Sequence, residues 1–164
     1  EIRNCDWSSD VCSSDLLKIL RILRDNGRIT NVALAERVGI SPPPCLRRVR
    51  ALEQAGYIHG YHAELDPDLI GYEVTAFCHV GLVSQAEADL KSYEELVRSW
   101  PNVRECHMLM GEDDFILKVM APSVEELNAF IISHLTSAPN VKNVKTAICI
   151  RRSDRKPSVP VPTA

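Results

Sequence analysis

The chain has 164 residues, enough for one ordinary domain or two small ones, and its hydrophobic content of 45% is normal for a globular protein. Its longest uninterrupted apolar runs fall far short of the roughly 18 residues that a membrane-spanning helix needs. The net charge of −3 at pH 7 conceals an asymmetry, because residues 17–61 carry eight Lys/Arg against three Asp/Glu, whereas residues 62–150 carry six against fourteen. Two modules of opposite charge are therefore expected, of which the basic one suits a polyanion.

The first 15 residues do not resemble the rest of the chain. The run CDWSSDVCSSD, from Cys5 to Asp15, contains Ser-Ser-Asp twice and has neither an apolar period nor the cleavage pattern of a signal peptide. We interpret residues 1–15 as translated sequencing-adapter sequence joined to the reading frame, and we expect structure to begin at Leu16. A natural disordered head is the alternative.

Four cysteines remain once Cys5 and Cys12 are set aside with that head. Their spacing shows no CxxC pair and no Cys/His ligand pattern. We expect buried thiols in a reducing cytosol, with neither a metal nor a cofactor. These cysteines are Cys45, Cys78, Cys106 and Cys149.

Three helices are predicted in the basic module. The first runs from about Leu16 to Asn26, with apolar residues at the i, i+3, i+4, i+7 spacing, and Gly27 ends it. Thr30 or Asn31 caps the second, Val32 to Val38. The third spans roughly Pro44 to Ala55.

The third helix carries Arg47, Arg48 and Arg50 on its outer face or its flanks. Arginine pairs on a helix are in most proteins only a solvated face. Here the short glycine-containing turn and the segregated charge favour a helix-turn-helix, whose second helix enters the major groove of DNA. A guanidinium can bind a phosphate, or the O6 and N7 atoms of guanine, through two parallel hydrogen bonds.

A small strand or ribbon is predicted after Gly56, from Tyr57 to Leu65. His59 and His62 lie in it, but neither has an acidic or thiol partner at a ligand spacing nearby. We expect them to contact solvent or phosphate and not a metal.

Several motifs in this half are specific. They are LAERVG (34–39), CLRRV (45–49), and Ile58-x-Gly-Tyr61 followed by Leu65-Asp-Pro67. The stretch 27–72 resembles the amino-terminal half of the Lrp/AsnC family of transcription regulators, and the similarity extends to about Ile150. The resemblance implies a winged helix-turn-helix that binds double-stranded DNA, here with contacts from Arg28, Thr30, Asn31, Ser41, Pro43, Cys45, Arg47, Arg48 and Arg50.

One position departs from the family pattern. The family usually has a Ser or Thr where this chain has Pro43, so the predicted cap of the recognition helix lacks a side-chain oxygen, at a cost of about 1 kcal/mol. Pro44 then takes the first helical position, where its missing N–H does no harm. We expect Pro43→Ser to raise the melting temperature.

The acidic half reads as βαββαβ. Strands are predicted at Val74–Leu82, Val103–Met110, Phe115–Met120 and Val141–Ile150, and helices at Leu90–Ser99 and from Pro122 to His134. That order is typical of a ferredoxin-like domain, so the chain as a whole is expected to be α+β. Two helices cover one sheet face only, which favours a homodimer through the other face. The resemblance implies the same, and adds octamers built from dimers.

The turn 110–115 looks like the Gly-x-x-Asp-aromatic turn of the family, which implies an effector site for an amino acid. Its residues here are Met110, Gly111, Asp113 and Asp114, with Thr146 of the last strand matching a family threonine near the pocket. Gly111 can take a positive φ and lets a ligand approach the backbone, and Asp114 is expected to accept the α-ammonium group. An acidic, solvated hairpin is the equal alternative. Val144 stands where the family often has another threonine.

The leading prediction is a cytoplasmic, effector-responsive regulator of transcription and not an enzyme. Two alternatives remain: an enzyme on the same fold, since sirohaem decarboxylases resemble this family in both domains, and an effector-binding module that no longer binds DNA. The tail 151–164, with Pro157, Pro160 and Pro162, is expected to be disordered.

Overall fold

The computed structural model describes residues 10–151, 153 and 158–162, with side chains from residue 14 onward. The predictions for residues 1–9, 152, 154–157 and 163–164 lie outside the described residues. The chain divides into two compact units: one extends through Glu64 and includes residues 158–162, and the other is Leu65–Ser153. None of the described helices is long and apolar enough to cross a membrane.

The first unit contains α1 (Asp10–Asp25), α2 (Asn31–Val38) and α3 (Pro42–Gln54). Each helix turns an apolar stripe inward, and the stripes form one core. Its buried members are Ile19, Leu34, Ala35, Val38, Cys45 and Leu52. The inward residues predicted for α2, Leu34, Ala35 and Val38, are confirmed. In α3 the helical spacing predicts that Leu46, Val49 and Leu52 face inward together, but only Val49 and Leu52 do, because Leu46 is 39% exposed.

Helix α1 begins at Asp10, six residues before the predicted start. Asp15, at the end of the segment set aside, is buried, and its Oδ2 lies 3.4 Å from Nη2 of Arg48 on α3. Tertiary contact therefore outweighs the weak helix propensity of the serine-rich run. The prediction that structure begins at Leu16 is wrong for residues 10–15.

Helix α2 has a cap at each end. The Thr30 hydroxyl accepts the N–H of Ala33 at 3.2 Å, as predicted. Gly39 follows the helix at φ 86°, which suits a residue without Cβ, and its N–H and that of Ile40 both reach the carbonyl of Ala35. These bonds make the sharp turn between α2 and α3.

The start of α3 differs from the prediction. Ser41 is the N-cap, and Pro42, Pro43 and Pro44 are the first three helical residues. The first three N–H groups of a helix have no intrahelical acceptor, so three prolines fit there without breaking a hydrogen bond. Pro43 is therefore not the cap, and the expected gain in melting temperature for Pro43→Ser loses its basis.

The predicted ribbon does not form a strand within this chain. In the fully described stretch between α3 and residue 74, the only regular element is a 3₁₀ turn, Asp68–Ile70. Tyr61 fixes the segment instead, because its hydroxyl donates to Oε1 of Glu53 at 2.9 Å and its ring lies against Gly27. An isolated ribbon lacks a partner for its backbone groups.

The second unit has the predicted βαββαβ order. Its strands are β1 (Val74–Leu82), β2 (Val103–Met108), β3 (Phe115–Ala121) and β4 (Val141–Ile148), and α4 is Glu87–Arg98. Helix α5 (Val124–Phe130) continues as a π-helical turn, Ile131–Leu135. The sheet is antiparallel in the order β2-β3-β1-β4. The α+β class is confirmed.

Both helices pack on one face of this sheet. The inward row of β3 (Phe115, Leu117, Val119, Ala121) is fully buried against Tyr93 and Val97 of α4 and Leu127 and Phe130 of α5. The opposite face carries Phe77, His79, Ile116, Lys118 and Met120 at alternating positions. Phe77 is 36% exposed there, so that face is not covered within the unit.

Candidate DNA interface and effector loop

The outward face of α3 is formed by residues three or four positions apart, which lie one above another on a helix. Pro42, Pro43, Leu46, Arg47 and Arg50 are all exposed there. Cys45, Val49 and Leu52 face the core. An apolar amino-terminal half is thus followed by a cationic carboxy-terminal half on one surface.

The three arginines of α3 have different surroundings. Arg47 and Arg50 are exposed and make no ion pair with any described residue. Arg48 is half-buried, and its guanidinium is next to the Asp15 carboxylate. The sequence prediction treated the three alike, but only Arg47 and Arg50 present free guanidinium groups.

The first turn of α3 has almost no hydrogen-bond donors. Pro42, Pro43 and Pro44 have no N–H, and the N–H of Cys45 bonds to the carbonyl of Ser41 at 3.2 Å. An N-cap hydroxyl normally accepts from the second or third helical N–H, and both are prolines here. The Ser41 hydroxyl accordingly makes no capping bond and is exposed.

Two residues predicted to contact DNA serve the unit's own structure. Cys45 is completely buried, where burial raises the pKa of its thiol, and the prediction that it touches DNA is wrong for this conformation. Asn31 Nδ2 donates to the carbonyl of Pro42 at 2.8 Å, and so joins the start of α2 to the start of α3. Arg28 and Thr30 are exposed beside the α1–α2 turn.

The turn between β2 and β3 begins with a fully exposed Met110. Gly111 does not use the positive φ that a glycine can take. A Cβ atom added at Gly111 would meet no atom within 4 Å, so there is open space beside this backbone.

Asp114 joins the turn to the end of β1. Its Oδ2 accepts the N–H of Leu82 at 2.7 Å, and its Oδ1 accepts from Nε2 of Gln85 at 2.7 Å. Its own N–H bonds to the carbonyl of Val80 at 3.0 Å. Both carboxylate oxygens therefore already have donors, and the predicted ammonium acceptor has a structural role.

Asp113 lies with two bases on the uncovered sheet face. Its carboxylate is 3.3 Å from Nδ1 of His79 and 3.2 Å from Nζ of Lys145, while Glu112 is 3.0 Å from the same Nζ. The hydrogen bonds that Lys145 donates to Glu112, then to Asp113, raise its pKa. His79 and Lys145 were missed from the sequence, because only the register of β1 with β4 brings them together.

Thr146 points to the other side of the sheet. Its hydroxyl donates to Sγ of the buried Cys78 at 3.6 Å, whereas Lys145, its neighbour in β4, reaches the turn. The chain therefore brings Asp113 and Asp114 together at the turn, but it does not bring Thr146 to them.

The histidines and remaining cysteines have no metal-site geometry. Among the described residues, no three His, Cys, Asp or Glu side chains converge as metal ligands. Cys78 is buried as predicted, but Cys106 is exposed and Cys149 is half-buried. Cys106 and His107 leave β2 on opposite faces, since they pair with Leu117 and Ile116 respectively.

Comparison with protein families agrees with the two units. Residues 16–59 match the family model of a winged helix-turn-helix DNA-binding domain. Residues 75–159 match that of the Lrp/AsnC ligand-binding domain.

Individual proteins match over most of the chain. The leucine-responsive regulatory protein of Rhizobium meliloti is 53% identical over 136 residues, which are 83% of this chain and 87% of that protein. The HTH-type transcriptional regulator AldR of Mycolicibacterium smegmatis is 38% identical over 80% and 77% of the two chains. A transcriptional regulator from Neisseria meningitidis, solved as a complex with L-methionine, is 34% identical with a TM-score of 0.84 over 89% and 94%. The chain belongs to the Lrp/AsnC family of transcriptional regulators.

Proposed function

We propose that this regulator binds operator DNA as a homodimer through the outward face of α3, with Arg47 and Arg50 as the principal cationic contacts. The observation that carries the proposal is that these two guanidinium groups are exposed and unpaired among the described residues. Each is therefore available to a partner, and phosphate or guanine offers two parallel acceptors. Residues 17–61 have a net charge of +5, which would attract the DNA backbone.

Arg48 has a different role in this proposal. Its guanidinium is held by Asp15, so we assign it to positioning α3 on α1 and not to direct DNA contact. Thr30, Arg28 and Ser41 would flank the recognition helix as backbone contacts, because each is exposed near one end of α2 or α3. The Ser41 hydroxyl can donate to a phosphate without losing a cap.

Dimerisation through the uncovered sheet face supports the same mode of binding. That face exposes Phe77 between Ile116 and Met120, a surface that a second copy would bury. A twofold axis would place two recognition helices about 34 Å apart, one helical turn of DNA.

Sedimentation of the wild-type chain and of Phe77→Asp tests dimerisation through this face. The variant should be monomeric, and a wild-type monomer would contradict the proposal. Octamers would require a second interface.

An amino acid is the proposed effector, bound at Met110, Gly111 and Asp113. The open backbone at Gly111 leaves room for a ligand, and an amino acid would exchange the Asp113–Lys145 ion pair for one pair with its ammonium group and one with its carboxylate. The Neisseria relative was solved with L-methionine.

Thermal shifts with a panel of amino acids, on wild type and on Asp113→Ala, test the assignment. A ligand that shifts both proteins equally would place the site elsewhere.

The DNA assignment is tested by selecting duplexes from a random library and measuring their binding by gel shift. Arg47→Ala and Arg50→Ala should each weaken binding at least tenfold, since a good bidentate contact is worth about 1–3 kcal/mol and a homodimer loses it in both half-sites. Arg104→Ala, on exposed β2, removes the same charge outside the first unit and should change affinity less than twofold. Equal losses for the three variants would reject α3 as the interface.

The proposed role is regulatory and has no catalytic step, in line with the Rhizobium and Mycolicibacterium relatives, which are regulators of transcription. We place the chain in the cytoplasm, where its DNA would be.

A further inference from the structure

The amino-terminal half of the α3 outward face is apolar in a way that a DNA-reading helix does not require. Pro42 and Pro43 are exposed in the first turn, and Leu46 follows one turn later with 39% of its surface exposed. These residues share one surface with Arg47 and Arg50, so the surface continues directly into the cationic one. The two prolines and Leu46 therefore form one apolar surface beside two exposed arginines that make no ion pair with a described residue.

The exposed apolar residues at the start of α3 (Pro42, Pro43 and Leu46), which we call the apolar tip, cannot read DNA by hydrogen bonding. Pro42, Pro43 and Pro44 have no N–H, and the side chains of proline and leucine have neither donor nor acceptor. The carbonyl of Pro42 is already used by Asn31 at 2.8 Å. Backbone amides at the start of a helix often hold a phosphate, but the first turn of α3 has none to offer.

The only apolar group on a base edge in the major groove is the C5-methyl of thymine. In helix-turn-helix proteins, the amino-terminal residues of the recognition helix are those that reach the base edges. Arg47 and Arg50 would hold this face against the polyanion by charge, which places the apolar tip over the bases and not over the phosphates.

We propose that Pro43 and Leu46 determine operator specificity by van der Waals contact with thymine methyl groups. This inference rests on the proposed function, because it presupposes that α3 lies in the major groove. Contact with a methyl group is worth roughly fourfold in affinity, and the two half-sites of a dimer would make that about sixteenfold.

The test uses the full chain and an operator obtained by selection from a random duplex library. Each thymine is replaced in both half-sites by deoxyuridine, which keeps its pairing with adenine and lacks only the methyl group. Wild-type affinity should fall about tenfold or more at one or two symmetric positions and stay level at the others. Because this arm uses no protein variant, it does not depend on a substitution being tolerated.

The variants then assign the contact to residues. With Pro43→Ser or Leu46→Ala, the thymine and deoxyuridine operators should bind equally at the position read by the changed residue. Arg50→Ala is the control: it should weaken both duplexes and keep their ratio. Melting temperatures confirm that each variant is folded.

Three outcomes overturn the inference. If wild type selects a defined operator but binds every deoxyuridine duplex as tightly as the parent, the apolar tip does not read methyl groups, while the DNA assignment stands. The same holds if both variants keep the full thymine preference. If no duplex sequence is selected at all, the inference and the proposed function fail together.

Discussion

Arg48 of α3 and Asp15 of α1 form an ion pair across the first unit, with 3.4 Å between Nη2 and Oδ2. The Asp15 side chain is buried and that of Arg48 is half-buried, so removing either one leaves a poorly solvated charge without its partner. We expect Arg48→Ala to lower the free energy of unfolding by about 1–2 kcal/mol, and Arg47→Ala, at an exposed position, to change it by less than about 0.5 kcal/mol.

A double-mutant cycle of Asp15→Ala and Arg48→Ala, measured by urea unfolding, isolates the pairwise term. A coupling near zero would mean that Arg48 is free to bind DNA after all. If Arg48 does contact DNA directly, Arg48→Ala should lose as much DNA affinity as Arg47→Ala does.

The two N-caps of the helix-turn-helix give a second prediction. Thr30→Ala removes a hydroxyl that accepts the N–H of Ala33, and should destabilise the protein by about 1 kcal/mol. Ser41→Ala should cost only a few tenths, since the prolines of α3 leave its hydroxyl no N–H to accept. Thermal unfolding of the two variants, side by side, distinguishes these cases. Equal losses would show that Ser41 caps α3 in solution.

The two adjacent aspartates of the turn should respond differently to substitution. Asp114→Asn places an amide donor against the N–H of Leu82 or the amide of Gln85, and should cost about 1–3 kcal/mol without any ligand. Asp113→Asn removes pairs with exposed bases and should cost less than about 1 kcal/mol. Urea unfolding measures both, and the opposite order would contradict the assigned roles.

Tyr61 makes stability depend on pH at the alkaline end. Partial burial, then the hydrogen bond and charge of Glu53, raise the pKa of Tyr61 to about 12, whereas an unfolded tyrosine ionises near 10. Below about pH 10 the phenol is protonated in both states and its stabilisation is complete. As the pH rises from about 10 towards 12, the unfolded state ionises first and the stabilisation is lost.

Tyr61→Phe should therefore be less stable than wild type by about 1 kcal/mol at pH 7, and the difference should shrink as the pH is raised to 11. Urea unfolding at pH 7, 9 and 11 checks this. A difference that stays constant would show that the Glu53 bond does not form in solution.

The sequence predicted correctly those helices and strands whose ends are set by residues next to them in the chain. Strand β1 occupies the predicted residues, Val74–Leu82, because its alternation is bounded by polar turns on both sides. Helix α2 was predicted to within one residue, since Thr30 and Gly39 mark its two ends. The α3 start was misplaced because Pro43 was compared with a capping hydroxyl, although three prolines already have the φ of a first helical turn.

The site was predicted less well, because its contacts depend on distant partners. Nothing in the sequence shows that Asp15 holds Arg48, or that Asp114 accepts the N–H of Leu82, 32 residues away. Strand register decides that Lys145 faces the turn and Thr146 faces Cys78, and register is a property of the folded sheet. The ribbon prediction failed for a similar reason, as none of the described strands pairs with residues 57–65.

The salt dependence of duplex binding shows whether the arginines of α3 meet the DNA. Log affinity against log salt concentration should fall steeply for wild type, and its slope should be shallower by about 0.9 in Arg47→Ala for each phosphate that the arginine neutralises. Arg104→Ala should keep the wild-type slope. If Arg47→Ala and Arg50→Ala bind operator DNA with the affinity and slope of wild type, the outward face of α3 is not what this regulator presents to DNA.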